Sequence, residues 1–168
     1  FSHANTEAVA RVRERLPWYV PHIAFEGPTI PAEGIEVFTS AYPFLVGLES
    51  SSETMVYSMV KIMHTHFDEY KNNAPGAGGW TLDRQKFEQA FVPFHTGAIR
   101  YYKEIGAWTP EAEENNQKNL HRQAVLRTAW EQFLPSAPKG YEEFEQAWIK
   151  FREQSLADAD LITLGQGL

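Results

Sequence analysis

The sequence predicts a helix-rich α/β chain, with few strands and five to six helices. Capped segments with helical apolar spacing recur along it, against two convincing strand runs at Ile35–Thr39 and 44–48. Aromatic residues make up 14% of the chain and include five Trp, which argues for a packed globule rather than a disordered chain. At 168 residues it is one domain's worth of chain. A compact domain of that size buries roughly 68–70% of its unfolded surface, enough for an independent core.

The first helix is expected over 6–16, capped by Asn5 or Thr6. Val9, Val12 and Leu16 form its inner stripe, Arg11, Arg13 and Arg15 face water, and Pro17 stops it. From 18 to 34 the chain is broken by Pro21, Pro28, Pro31, Gly27 and Gly34, so turns and extended pieces are expected, with a short strand at 22–25. Ile35–Thr39 alternates imperfectly and reads as a strand. The apolar run at 44–48 suits a strand buried on both faces.

Ser50 and Glu53 have the spacing of a capping box. The helix behind it is expected to reach about Tyr70. Val56, Met59, Met63, Phe67 and Tyr70 line one face, widened by Met55 and Ile62. A Gly-rich loop follows at 72–79. Thr81 then caps a helix over 82–91 with Phe87 and Phe91 inward.

The densest run of local signals is 92–108, VPFHTGAIRYYKEIGAW. Thr96 can act as N-cap. Ala98, Ile99, Tyr101, Tyr102 and Ile105 give a broad apolar face, and Arg100 and Glu104 are spaced to pair weakly, ~0.3 kcal/mol. Gly106 suits a left-handed helix end, and Thr109 and Pro110 open the next helix at once. That helix is expected to run to about Leu134. Its first turns are polar all round and read as solvent-exposed, and Leu126, Ala129, Trp130 and Phe133 form a later stripe. Pro135 and Pro138 break the chain before a last helix over 141–156, where Tyr141, Phe144, Trp148 and Phe151 recur at near-heptad spacing. Residues 158–168 show no period.

A net charge of −7 and a pI near 5.4 speak against a sequence-independent nucleic-acid surface. The same charge gives no support for binding anionic membranes. Without Cys there is neither a disulfide nor a thiolate site, which fits any compartment. No apolar run approaches the ~18 residues of a membrane span, so no direct membrane insertion is expected. No signal-peptide pattern is read within the sequence. The chain opens on Phe1, within a few residues of a helix, and reads as the cut end of a longer or processed protein.

The 92–108 stretch resembles the C-terminal signature of the TAXI family, the substrate-binding proteins of TRAP-type transporters. There a Pro-x-His-Pro-Gly-Ala segment leads into Tyr-Tyr-Lys-Glu-x-Gly-x-Trp. Pro93, His95, Gly97, Ala98, Tyr101, Tyr102, Lys103, Glu104, Gly106 and Trp108 match, and Thr96 stands where that family usually has Pro. The likeness covers roughly 6–156, including Leu16-Pro17-Trp18-Tyr19 and the Val56-Tyr57 pair, but only the C-terminal half of such a protein.

The resemblance implies a type II periplasmic-binding-protein fold, in which two α/β lobes are joined by crossing strands and the ligand lies between them. It implies a periplasmic or extracytoplasmic location, a small organic acid or amino acid as ligand, and the membrane permease subunits of a transporter as partners. On this reading 1–168 is a single region, the C-terminal half of a two-lobed solute-binding protein, with 135–168 a helical C-terminal extension. Tyr42, where a crossing strand returns toward the cleft, is a candidate ligand-facing residue, and its plainer reading is a packing Tyr before a strand. With Thr96, His95 could approach a ligand through free N–H groups at a helix start. Its plainer reading is a histidine that fixes a turn.

Nothing else in the chain assembles a reactive centre. His64 and Asp68 are four apart and could hold two positions of a metal shell, but His66 projects roughly 200° away and no four-ligand set exists. The plainer reading is a hydrogen-bonded pair near a helix end. The Gly76–79 run lacks the frame of a phosphate loop, and no Ser has a nucleophile context. The acidic residues of the helix starts read as solvated faces. No catalytic residue, metal or cofactor is expected, and the chain is not read as an enzyme. The competing class is a helical interaction domain without a small ligand, docking a partner protein through the stripe of Tyr141, Phe144, Trp148 and Phe151.

Overall fold

A computed structural model describes residues 2–25, 27–40 and 44–163. Within them lie six α-helices, several short 3-10 turns and one two-stranded antiparallel sheet, the helix-rich α/β composition expected. The chain divides into two compact units, one of Phe1–Ser40 with Leu120–Leu168, the other of Ala41–Asn119.

The first unit opens with α1 (Thr6–Arg15), capped by Asn5, whose side chain accepts from the Ala8 N–H at 3.0 Å. Ala8 is its buried residue, and Val9, Val12 and Leu16 are half-buried. Strands β1 (Val20–Ala24) and β2 (Ile35–Thr39) pair with each other, with His22 opposite Val37. The earlier strand therefore begins two residues before the expected 22–25. His3 stands 2.9 Å from the Val37 carbonyl through Nε2 and edge-on to Phe38, tying the N-terminal segment to β2.

Helix α5 (Pro110–Phe133) and helix α6 (Tyr141–Asp158) form the rest of this unit's core. Trp130 and Phe133 meet Phe144, Trp148 and Phe151 at centroid distances of 4.8 to 5.9 Å. The stripe on α6 is thus internal packing, apart from Tyr141, which is 81% exposed.

The second unit is built on α2 (Glu53–Thr65), the one-turn α3 (Phe67–Tyr70), helix α4 (Thr96–Glu104) and the start of α5. Several expectations fail here. The run at 44–48 is not a strand. Phe44 packs edge-on against Phe91 at 5.0 Å, while Leu45, Val46 and Leu48 are exposed. The two described strands pair only with each other, so no ladder is offered to this run. The capping residue of α2 is Ser52, which accepts from the Met55 N–H, so the Ser50–Glu53 box does not form. The helix breaks at His66 instead of continuing to Tyr70. Met55, Met59 and Ile62 are exposed, because α4 covers the Tyr57 and Lys61 side of α2.

Residues 82–91 form two 3-10 turns, Leu82–Arg84 and Phe87–Gln89, not a continuous helix. The cause lies on α5. Asn115 donates from Nδ2 to the Phe87 and Ala90 carbonyls at 3.1 and 2.8 Å, and Asn119 donates to Ala90 at 2.8 Å. Asn116, 2% exposed, accepts from the Phe94 N–H at 2.8 Å. The polar first turns of α5 therefore face inward in part, contrary to the solvent-exposed reading. Their amides satisfy loop carbonyls that a helix would have used internally.

That ladder holds an aromatic box of Phe87, Phe94, Tyr102 and Trp108, with centroids 4.6 to 6.2 Å apart. Burial there pushes the Tyr102 phenol up to about 12.

Two predictions follow from this packing. Asn116→Ala strands the Phe94 N–H in the interior and should cost about 1–3 kcal/mol in a urea titration. Glu114→Ala, at a side chain 68% exposed, should stay within about 0.5 kcal/mol. The second concerns alkaline pH. Tyr102 is favoured as the neutral phenol in the folded state, so its contribution to stability is complete below its ordinary value of 10.0 and is lost as pH rises toward about 12. Phenolate absorbance should show late-ionising tyrosines, since burial also raises Tyr70 and Tyr101, and Tyr102→Phe should remove one of them and flatten the alkaline loss of stability.

Candidate functional site

The most organised polar region of the second unit is the seam between α2 and α4. Gly97 sets its geometry. A Cβ there would stand 2.3 Å from the Glu53 carbonyl oxygen and 2.9 Å from the Tyr57 nitrogen, so only glycine lets the first turns of both helices touch. From that point the helices run side by side in the same direction, and their N-termini stand together. Each N-terminus carries partial positive charge from unpaired N–H groups.

His95 is the N-cap of α4, one position before the Thr96 that the spacing suggests, and Thr96 is the first helical residue. Its Nδ1 accepts from the Gly97 N–H at 3.1 Å, and its Nε2 faces the Ser51 carbonyl at 3.2 Å. An acceptor at Nδ1 and a donor at Nε2 assign the ring to the neutral Nε2–H tautomer. Both nitrogens are thus engaged by the chain itself, one on each helix start. Tyr42 lies outside the described residues.

Below the N-termini the seam is a chain of charges and phenols. Arg100 pairs with Glu53 at 2.7 Å and stacks 4.1 Å over the Tyr57 ring. Tyr57 donates to Glu104, and Lys61 donates to Tyr57 and Glu104 at 3.1 and 3.4 Å. The expected Arg100–Glu104 pair does not form, because each residue reaches across to α2 instead. Glu104 is held below the usual carboxylate range, first by the Tyr57 hydrogen bond and then by Lys61. Lys61 is held above its ordinary value, first by the hydrogen bond to Tyr57 and then by Glu104. Each partner is fixed in its charged form, which suits an ion-pair lock rather than proton transfer.

Tyr101, 2% exposed, lies 2.7 Å from His64 Nδ1, and burial pushes its phenol up. His64 is therefore committed to Tyr101, while Asp68 pairs with Lys71. The expected His64–Asp68 pair is absent because the break at His66 ends the helical register between them. Beside His64 lies a depression of about 170 Å³, also lined by Phe67, Asp68, Trp80 and Thr81. No group of three or more His, Cys, Asp or Glu gathers as a metal shell among the described residues.

At the far end, Glu113 accepts from Gln117, Trp108 and Lys103, which together hold its carboxyl at about 2. Thr109 caps α5 through the Ala112 N–H at 3.1 Å, as its position suggests. The residues missed by sequence reasoning are Tyr57, Lys61 and Glu53. Their signal was present: Tyr57 and Lys61 on one helix, and Arg100 and Glu104 on the other, have matching four-residue spacing.

The seam depends on Gly97, so Gly97→Ala should separate the helix starts and cost about 1–3 kcal/mol in thermal or urea unfolding. Tyr57→Phe, which removes only half-exposed hydrogen bonds, should cost less than about 1 kcal/mol.

A model of the NMT1-like family matches residues 3–106, more than half of the chain. No curated protein and no solved structure matches it. No helix among the described residues is long and apolar enough to cross a membrane. The matched segment contains both strands, α2, α3, the whole of α4 and the seam, and the chain belongs to the NMT1-like family, a periplasmic binding-protein-like family of solute-binding rather than enzymatic proteins.

Proposed function

We propose that the chain is the C-terminal half of a TRAP-type solute-binding protein of the TAXI kind, which captures a small anionic organic solute outside the cytoplasm and delivers it to membrane permease subunits. The observation that carries this reading is the coincidence of the family match with the TAXI-like run from Pro93 to Trp108. The joined N-termini of α2 and α4 support an anionic ligand, since backbone N–H groups and helix dipoles there favour negative charge. His95 and Tyr42 remain the residues proposed to face it.

The competing interaction-domain reading loses most of its docking face, because Phe144, Trp148 and Phe151 pack against α5.

A ligand held between two lobes draws contacts from both. Each charge-assisted hydrogen bond contributes roughly 1.5–3 kcal/mol, so losing two weakens binding by about two to four orders of magnitude. Calorimetry with a panel of amino acids and organic acids should therefore give micromolar or tighter binding when the N-terminal lobe implied by the resemblance is present. The chain alone should bind far more weakly. His95→Asn keeps a capping acceptor but gives up the Nε2–Ser51 hydrogen bond, so affinity should fall at least tenfold while stability falls by only about 0.5–1.5 kcal/mol. Absence of binding by the two-lobed protein would sink the proposal.

A further inference from the structure

Methionine is a gap-filling residue of protein cores. Here it fills none. All three methionines of the chain, Met55, Met59 and Met63, lie on α2, and none of them is among the buried apolar residues. Met55 is 57% exposed, Met59 is 38% exposed and Met63 is half-buried.

Their spacing brings them together. Glu53–Thr65 is one uninterrupted helix, and each methionine follows the last by one helical turn within it. Residues four apart on a helix are neighbours, with Cβ atoms about 5–6 Å apart. Each such step turns only about 40° around the axis. Met59 therefore stands between the other two, and the flexible thioether arms of Met55 and Met63 reach it from the turns on either side. The stripe lies away from α4, which covers the Tyr57 and Lys61 side of α2. The charged side chains of α2, Glu53 and Lys61, are both engaged in that seam. Met63 is in the last turn, where the carbonyl end of the helix carries partial negative charge and favours a cation.

We propose that Met55, Met59 and Met63 form a surface site for a soft monovalent metal ion, Cu(I), with the Met59 sulfur at its centre. Thioether ligands select Cu(I), whereas harder divalent ions prefer imidazole, carboxylate or water. Such a site needs no cluster of His, Cys or carboxylates, and none of three or more gathers among the described residues. A thioether has no proton to lose, so binding persists at a pH where an imidazole site is protonated and empty. The site shares no residue with the solute site proposed above and does not depend on it.

The test titrates the chain with silver nitrate in chloride-free buffer, and with Cu(I) kept reduced by ascorbate in the absence of oxygen. Both titrations are run at about pH 5, where imidazoles are protonated. Calorimetry reads Ag(I), competition with a chromophoric chelator reads Cu(I), and the methionine ε-methyl NMR signals locate either ion. Each ion should bind one per chain and shift all three methyl signals, and zinc should leave them unchanged. Met59→Leu keeps the volume and apolar character of the side chain. It should fold and weaken binding at least about tenfold, because the central sulfur is lost. Met55→Leu and Met63→Leu should each weaken it less, and replacement of all three should abolish it. Absence of Cu(I) binding, binding that appears only when imidazoles are neutral, or a triple variant that keeps its affinity would overturn the proposal.

Discussion

The second unit depends on one close approach, that of α4 to α2 at Gly97. The missing side chain brings the Glu53 carbonyl and the Tyr57 nitrogen against the first turn of α4. Everything along the seam is then in register. Arg100 meets Glu53, Glu104 meets Tyr57 and Lys61, and Tyr101 is buried against His64. The close-packed start also allows one imidazole to bind both helices, through Gly97 on one and Ser51 on the other.

The residues that carry the TAXI-like signature take on physical roles in this light. Gly97 permits the contact, Ala98 and Tyr101 are core, and Tyr102 and Trp108 belong to the aromatic box. Lys103 pairs with Glu113, and Gly106 closes the helix at φ +71. Read this way, the run is chiefly a packing and capping code. The run thus specifies how this corner folds, with His95 capping α4 at its N-terminal end.

Much of the architecture was legible because it is decided locally. Asn5, Thr109 with Pro110, and Gly106 act where their chemistry places them, and Ile35–Thr39 is a strand to the residue. The failures share a non-local cause. The 82–91 segment has the apolar spacing of a helix, but the amides of Asn115 and Asn119 take its carbonyls. The 44–48 run has strand composition, but no described strand pairs with it. Arg100 and Glu104 have the spacing of a pair, yet better partners stand on α2. Of the two residues named from sequence for the site, His95 lies at the joined helix starts as a cap, and Tyr42 lies outside the described residues. The spacing of the seam residues was present in the sequence, but their charges are complementary only across two helices, so no local reading pairs them.

The asparagines of α5 carry a consequence for how the chain acquires order. Residues 87–94 have few backbone bonds of their own beyond isolated turns, and their hydrogen bonds run to side chains 22 to 29 positions later. The segment cannot settle before α5 exists to receive it. A locally encoded helix thus acts as a template on which an otherwise shapeless stretch is cast, and the protection of the Phe94 amide is tied to α5 rather than to its own neighbours.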